Sequence, residues 1–345
     1  KGYYTANDGG GAEYIIVATA TGTDDGGSYI DLALNQAELV SNTLISVKQF
    51  GAKGDGFTND FSPIQSALNA QGKNVILTDG NYIVSSPLVV PANTSLKGNG
   101  VASVLDGTSI ATSNVGVISS TGSVSASTAL SSDVALGAKT ITVASATGIT
   151  KGALILVRST LDNSWSGAWS PQTRTYRKQG FFKVIDVSGT TLTLDMQVTT
   201  TFESASTLVE LINPTTQSFS DFKVIPNNSN LASGISITYG EDCLFSNVIV
   251  EGGDIVGVGW PADAHGNADN YTYENCILHG AVHSVLVGGR DGSWVNCKLL
   301  CTSGTPIAAN EIYGGNFTFD NCEVVDYSTS AVGAGFSAID LGRGS

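Results

Sequence analysis

A chain of 345 residues with 16 basic and 30 acidic side chains carries a formal charge of −14 and a sequence pI near 4.4. Such a surface excludes nucleic acid and membrane insertion as partners: it repels phosphate backbones, and no apolar run approaches the roughly 20 residues that span a bilayer. Hydrophobic residues make up 41% and charged residues 13%, with 41 Gly and a single Met, so tight turns and strands outnumber helix formers and an all-β protein is predicted. The five cysteines show no CxxC pair with a His partner; neither a metal site nor a disulfide framework is expected, no cofactor is expected, and the thiols suit folding in a reducing cytoplasm. The opening Lys1-Gly2-Tyr3-Tyr4 does not read as a signal peptide.

Residues 1–46 form the first predicted unit, a connector in which Gly-rich turns at 7–11 and 24–27 flank the apolar stretch Tyr14-Ile15-Ile16-Val17. A hairpin follows from that pattern, and residues 31–40 are expected to add a short helix. A piece this small is expected to lean on a neighbouring subunit. Residues 47–118 form the second unit. A helix is predicted over 61–70, capped by Asn59 or Asp60, with Pro63 in its first turn and Ile64 and Leu68 on one face. Strand-like runs follow at 74–77, 82–84, 88–90 and 95–96, each ended by Gly or Pro.

The words Val47-Lys48-Gln49-Phe50-Gly51-Ala52-Lys53-Gly54-Asp55-Gly56 with Asp60, then Asp79-Gly80-Asn81-Tyr82, then Leu96-Lys97-Gly98-Asn99-Gly100 resemble the pectate-lyase-like superfamily of right-handed parallel β-helices. Within it the chain is most similar to phage tailspikes and capsule depolymerases, because Gly2-Tyr3-Tyr4, Asp8-Gly9-Gly10-Gly11 and Asp25-Gly26-Gly27 stand just ahead of the Phe50-Gly51-Ala52 word. The resemblance implies that the helix at 61–70 covers the open end of the first coil. One departure stands out: Thr78-Asp79 occupies the place where the family has Pro before its Gly-x-Tyr word.

Residues 119–212 interrupt the coils as a third unit. A Ser/Thr/Ala-rich linker at 119–132 leads to four predicted strands at 139–143, 153–158, 181–185 and 191–194, as in a small antiparallel module. Its longest loop holds Trp165, Trp169, Arg174, Tyr176, Arg177 and Lys178. Aromatic faces and guanidinium forks suit glycan contact; a covering loop or a subunit contact is the other reading.

The fourth unit, 213–345, repeats one word: Asp221-Phe222-Lys223-Val224, Asn247-Val248-Ile249-Val250, Asn275-Cys276-Ile277-Leu278, Asn296-Cys297-Lys298-Leu299 and Asn321-Cys322-Glu323-Val324. Spacings of 26, 28, 21 and 25 residues mark a solenoid of β coils, with the Asn side chains stacked at a bend. Cys276, Cys297 and Cys322 fall at one equivalent position and predict an inward thiol stack. The chain stops at Ser345 within what reads as a further coil, so more coils or a trimer-forming module are expected beyond it.

Glycoside hydrolysis uses two carboxylates, about 5 Å apart for retention or about 6.5–9.5 Å for inversion. Neighbouring coils lie about 4.8 Å apart, so equivalent positions one or two rungs apart meet both ranges. Six residues before each ladder Asn stand Glu241, Asp269, Arg290 and Gly315; five before stand Asp242, Asn270, Asp291 and Asn316. These rows are candidate catalytic and binding edges, or simply turn formers. The 28-residue coil adds Asp254, Trp260, Asp263 and His265, a stacking platform with carboxylates and a group that titrates near neutrality. The catalytic candidates are therefore Asp254, Asp263, Glu241 and Asp269, and the substrate-binding candidates Trp260, His265, Arg290 and Asp291. Elimination would instead draw on Arg290 and His265 as cation and base.

The resulting expectation is a tailspike fragment, homotrimeric, made in the bacterial cytoplasm and carried in the virion tail. It would join other tail proteins through its N-terminal part and bind and depolymerise a bacterial capsule or O-antigen, by hydrolysis ahead of β-elimination. A non-enzymatic adhesin or fibre on the same scaffold is the alternative.

Overall fold

The repeated Asn or Asp is a bend in every coil. Asp221, Asn247, Asn275, Asn296 and Asn321 all take left-handed backbone, with φ between 50° and 61°, a conformation that costs Asn and Asp less than other side chains. In the computed structural model each bend joins two short strands, and the same strands recur one coil on. The structure describes all residues except 1–2, 41–43, 71–73, 113–114, 162, 166–173, 177, 228–232, 253–267, 281–284, 288, 302–306, 310–315, 327–338 and 341–345.

Stacking of these coils makes a parallel β-helix. One eight-stranded sheet runs Ile45–Ser46, Asn74–Ile76, Thr94–Lys97, Gln217–Ser220, Gly240–Ser246, Ala268–Glu274, Gly289–Val295 and Phe317–Asp320. A second begins at Asp55–Asn59 and Gly80–Ile83 and ends at Lys298–Cys301 and Glu323–Asp326. The third face is built of shorter pieces, with Leu88–Val89, Gly116–Thr121 and Ser233–Thr238 forming one of them. The bend side chains link rung to rung: Asn247 donates to Asp221 at 2.8 Å, Asn296 to Asn275 at 3.3 Å and Asn321 to Asn296 at 2.7 Å.

Inside the coils, register stacks like on like. Phe219, Phe245, Tyr273, Trp294 and Phe319 are successive register partners. Their rings lie 5.4, 4.1, 5.6 and 4.6 Å apart and near parallel. Cys276 and Cys297 are buried in the same core and Cys322 packs at its edge; with Cys243 all four are free thiols. Burial pushes the Cys243 thiol up to about 11, and the Cys297 thiol beside it together with burial raises Cys276.

The helix forms over Phe61–Asn69 and lays Ile64, Ala67 and Leu68 onto the first coil. Of the two capping candidates only Asn59 reaches the helix with its side chain. Asn59 Oδ1 accepts from the Phe61 amide at 3.2 Å. The buried Asp60 carboxylate instead turns back to accept from the amides of Lys53 and Gly54, at 2.7 and 2.9 Å. Gly54 has φ +62°, and a Cβ there would lie 2.8 Å from the Tyr82 ring, so the loop that feeds Asp60 needs glycine. The Thr78 departure is absorbed locally: its hydroxyl lies 3.0 Å from that of Tyr82, which also donates to the Thr78 carbonyl at 3.1 Å. No helix among the described residues is long and apolar enough to cross a membrane.

Two expectations need correction. Residues 31–40 hold the strand Gln36–Leu39, not a helix, and it pairs antiparallel with both Tyr14–Val17 and Tyr29–Asp31. Gln36 is buried and anchors to Gly22 and Asp31, so pairing overrides the helical propensity of this segment. Residues 119–132 are likewise no linker: Gly116–Thr121 belongs to a coil and Ser123–Ala129 is the edge strand of the inserted module. The module is a six-stranded antiparallel sheet in the order Ser123–Ala129, Thr207–Asn213, Leu154–Ser159, Gln179–Ser188, Thr191–Leu194, Thr140–Thr142. It closes on its own core, which includes Ile155, Val157, Phe182, Leu192 and Val209. The coils resume after it in register, Thr94–Lys97 pairing with Gln217–Ser220 as if nothing intervened.

Candidate functional site

The row six residues before the ladder stacks as the repeat requires: Glu241 pairs with Asp269, and Asp269 with Arg290, on three consecutive rungs. Gly315 lies outside the described residues. Two carboxylates and a guanidinium thus share one edge, and the inserted module comes down on it. Lys183, inside the strand Gln179–Ser188, reaches Glu241 Oε1 at 2.8 Å and Asp269 Oδ2 at 3.0 Å. Arg290 binds Asp269 Oδ1 through Nε and Asp195 Oδ2 through its terminal nitrogen, both at 2.6 Å. Asp195 closes the ring by accepting from the Lys183 amide at 2.9 Å.

Five charges therefore join two parts of the chain across a boundary. Asp269 is wholly buried and Arg290 is 4% exposed, while the side chains of Lys183 and Glu241 keep 33% and 22% of their surface. Burial opposes the charge on Lys183, but Glu241 and Asp269 more than offset it and hold the ammonium above its ordinary value. Arg290 behaves alike: burial lowers it, and Asp269 and Asp195 raise it further. Asp269 and Arg290 are closed to a polymer in solvent; Glu241 and Lys183 form the accessible rim.

Beside this rim runs the second row. Asp242, Asn270 and Asp291 take φ of 55°, 50° and 53°. Asn270 donates to Asp242 at 2.6 Å and Asn316 to Asp291 at 3.0 Å. The row is exposed and presents alternating carboxylates and amides once per rung. Asp291 also stands 3.6 Å from Arg290 Nε. Asp254, Trp260, Asp263 and His265 lie outside the described residues, as do Trp169 and Arg177 of the inserted module's long loop.

Lys183 and Asp195 were not legible as site residues. The available signal was a single cation inside the apolar run Phe181-Phe182-Lys183-Val184-Ile185, which sits badly in a module core unless it is paired.

Two family models match, one described as rhamnogalacturonase A/epimerase, pectate lyase-like, over residues 44–145, the other as Gp49, pectin lyase-like, over residues 240–340. The fold agrees with both. The chain is a parallel β-helix with two pectate-lyase-like stretches. Among solved structures this β-helix resembles the tailspike gp61 of Pseudomonas phage phi297, with TM-score 0.64 and 18% identity over 81% of this chain and 56% of that one. It also resembles the Gp54 tailspike of Acinetobacter baumannii bacteriophage AP22, solved with A. baumannii capsular saccharide, at TM-score 0.58 and 19% identity over 81% and 51%. Curated relatives match shorter stretches. Among them are the plasmin and fibronectin-binding protein A of Streptococcus pneumoniae, 31% identical over 28% of this chain, and the preneck appendage protein of Bacillus phage PZA, 32% identical over 26%. These alignments cover only 14% and 10% of the two relatives' own lengths.

Proposed function

We propose that this pectate-lyase-like β-helix belongs to a phage tailspike that recognises a bacterial surface polysaccharide and cleaves it by hydrolysis. The observation that carries the reading is the exposed row of Asp242, Asn270, Asp291 and Asn316 beside the Glu241–Lys183 rim. It offers one hydroxyl-binding group per rung, at a spacing of about 4.8 Å that suits successive rings of a linear glycan. The capsular saccharide named with the AP22 tailspike supports the same ligand class, and the phage relatives support a place in the virion tail. The protein is then made in the bacterial cytoplasm, acts as a homotrimer and joins other tail proteins through its N-terminal part.

In the hydrolytic reading Glu241 takes the place of base at the rim, Asp254 or Asp263 supplies the acid, and Trp260 and His265 hold the sugar. Asp269 and Arg290 act as positioning residues: they fix Lys183, and Lys183 fixes Glu241. Asp291 contributes through the exposed row. A second reading, a non-enzymatic adhesin, is favoured by the same ion pairs, since both described carboxylates of the edge are already engaged by cations.

Incubation with a panel of capsular and O-antigen polysaccharides, following new reducing ends and ultraviolet absorbance of unsaturated uronates, separates the readings. New reducing ends without absorbance are expected. Absorbance would make the protein a lyase, binding without either signal an adhesin, and no binding would overturn the polysaccharide assignment.

A further inference from the structure

Residues 213–345 hold 14 Asp and Glu against four Lys and Arg, namely Lys223, Arg290, Lys298 and Arg343. Three of these cations are engaged. Lys223 pairs with Glu251, Lys298 with Glu323 at 3.1 Å, and Arg290 with Asp269 and Asp195, both at 2.6 Å. Arg343 lies outside the described residues. The inserted module brings no free charge to the edge either: Lys183 is held by Glu241 and Asp269, Arg158 by Glu210 and Lys178 by Glu203. Residues 253–267, which contain Asp254, Asp263 and His265, add no Lys or Arg. Among the described residues of these coils, every cation already has its carboxylate.

The sheet face beside the bend row of Asp242, Asn270, Asp291 and Asn316 has the same character. Phe245, Tyr273, Trp294 and Phe319 stack in the core, so the residues on either side of each ring point outward. One side gives the row Leu244, Thr272, Ser293 and Thr318, the other Ser246, Glu274, Val295 and Asp320. Leu244 is 38% exposed, and Glu274 and Asp320 are exposed. The cation on that last row, Lys97, stands three rungs before Glu274 and faces Asp221 at 3.8 Å. The face therefore offers carboxylates, amides, hydroxyls and a leucine. A carboxylate only accepts hydrogen bonds, which suits the hydroxyl of a sugar. A uronate, sialate or phosphate is also acceptor-only, and like charges set against each other weaken binding. Asn270 and Asn316, the amides of the bend row, already donate to Asp242 and Asp291.

We propose that the polysaccharide bound along this edge is built of neutral sugars. Their hydroxyls donate to Asp242, Glu274, Asp291 and Asp320, and an apolar ring face rests on Leu244. This inference rests on the polysaccharide reading above and narrows it to a substrate class. It also removes β-elimination from the edge. Elimination withdraws the proton beside a uronate carboxyl whose charge a cation must offset, and Arg290, the cation on the row, is 4% exposed and held by two Asp. Hydrolysis of a neutral glycan needs no such cation.

The test uses the whole chain and a panel of purified capsular and O-antigen polysaccharides, some neutral and some bearing uronate, sialate or phosphate, with binding followed by biolayer interferometry. The polymers that bind are expected to be neutral. Their affinity is expected to change less than about twofold between about 50 and about 500 mM NaCl, because there is no ionic contact to screen. A bound polymer that carries anionic sugars, or an affinity that falls about tenfold or more over that range, overturns the inference and leaves the polysaccharide reading standing. An acidic glycan held by Arg174 and Arg177 of the module's loop would be caught in this way. Glu274→Lys and Asp320→Lys are each expected to weaken the neutral polymer roughly tenfold, the loss of one charge-assisted hydrogen bond. Both side chains are exposed, so Tm is expected to hold and the loss is not a folding artefact. Unchanged affinity in both variants places the polymer elsewhere and overturns the inference. If no polymer of the panel binds, the polysaccharide reading falls first and this inference with it.

Discussion

The coils and the inserted module hold together in opposite ways. Each coil repeats the contacts of the one before it: an aromatic ring on an aromatic ring, an amide on an amide, a thiol at the same inward position. Stability in such an array is close to a sum of neighbour terms. The module closes around its own core and meets the coils at an apolar patch against Tyr239 and at a polar junction, where Lys183, Asp195, Glu241, Asp269 and Arg290 satisfy one another. Damage to a coil is shared among neighbours; damage to the junction is not.

Arg290→Ala tests that contrast hardest. It leaves Asp269, wholly buried, without its closest cation, and removal of one partner from a buried pair costs about 3–5 kcal/mol. Chemical denaturation is expected to show that loss, and the double variant Arg290→Met with Asp269→Leu is expected to recover most of it. Trp294→Ala comes next. Truncation of a buried aromatic costs roughly 3 kcal/mol at the low end of its range, the low end because Tyr273 and Phe319 stack on either side and can close in. A loss well above that of Arg290→Ala would reverse the contrast between coils and junction.

Asn296→Ala is a smaller break in the regular part. It puts Ala at φ 53° and removes the link to Asn275 and Asn321, a cost of about 1–2 kcal/mol; Asn296→Gly, which relieves the backbone, is expected to lose less. The smallest effect lies at the first coil. Amides of Thr58 and Phe57 donate to Asp55 and lower its carboxyl from 3.8 to about 2. Its contribution is present above pH 3.8 and fades as pH falls toward 2, so Tm curves of wild type and Asp55→Asn are expected to converge across that window.

The coils were legible because repetition is a signal that local composition cannot mask. The Asn words mark the bends, and counting back from them puts Glu241, Asp269 and Arg290 on one row, as their pairing in the sheet does. What the row does was hidden, since Lys183 and Asp195 lie far away in the chain and meet it only because the module folds back. Residues 31–40 hide their strand for a related reason. Leu32, Ala33, Leu34, Ala37 and Leu39 favour a helix locally, while the hydrogen bonds that make Gln36–Leu39 a central strand come from Tyr14–Val17 and Tyr29–Asp31. Ser123–Ala129 reads as a flexible linker until Thr207–Asn213 pairs with it.

The spacing between bends varies from 21 to 28 residues, yet every bend keeps the same left-handed turn and every aromatic finds its partner. The added or missing residues are therefore taken up elsewhere around the coil, leaving the spine unaware of them. A scaffold of this kind separates inheritance from adaptation: loops can lengthen, shorten or change their chemistry while the column that carries them folds by the same rule.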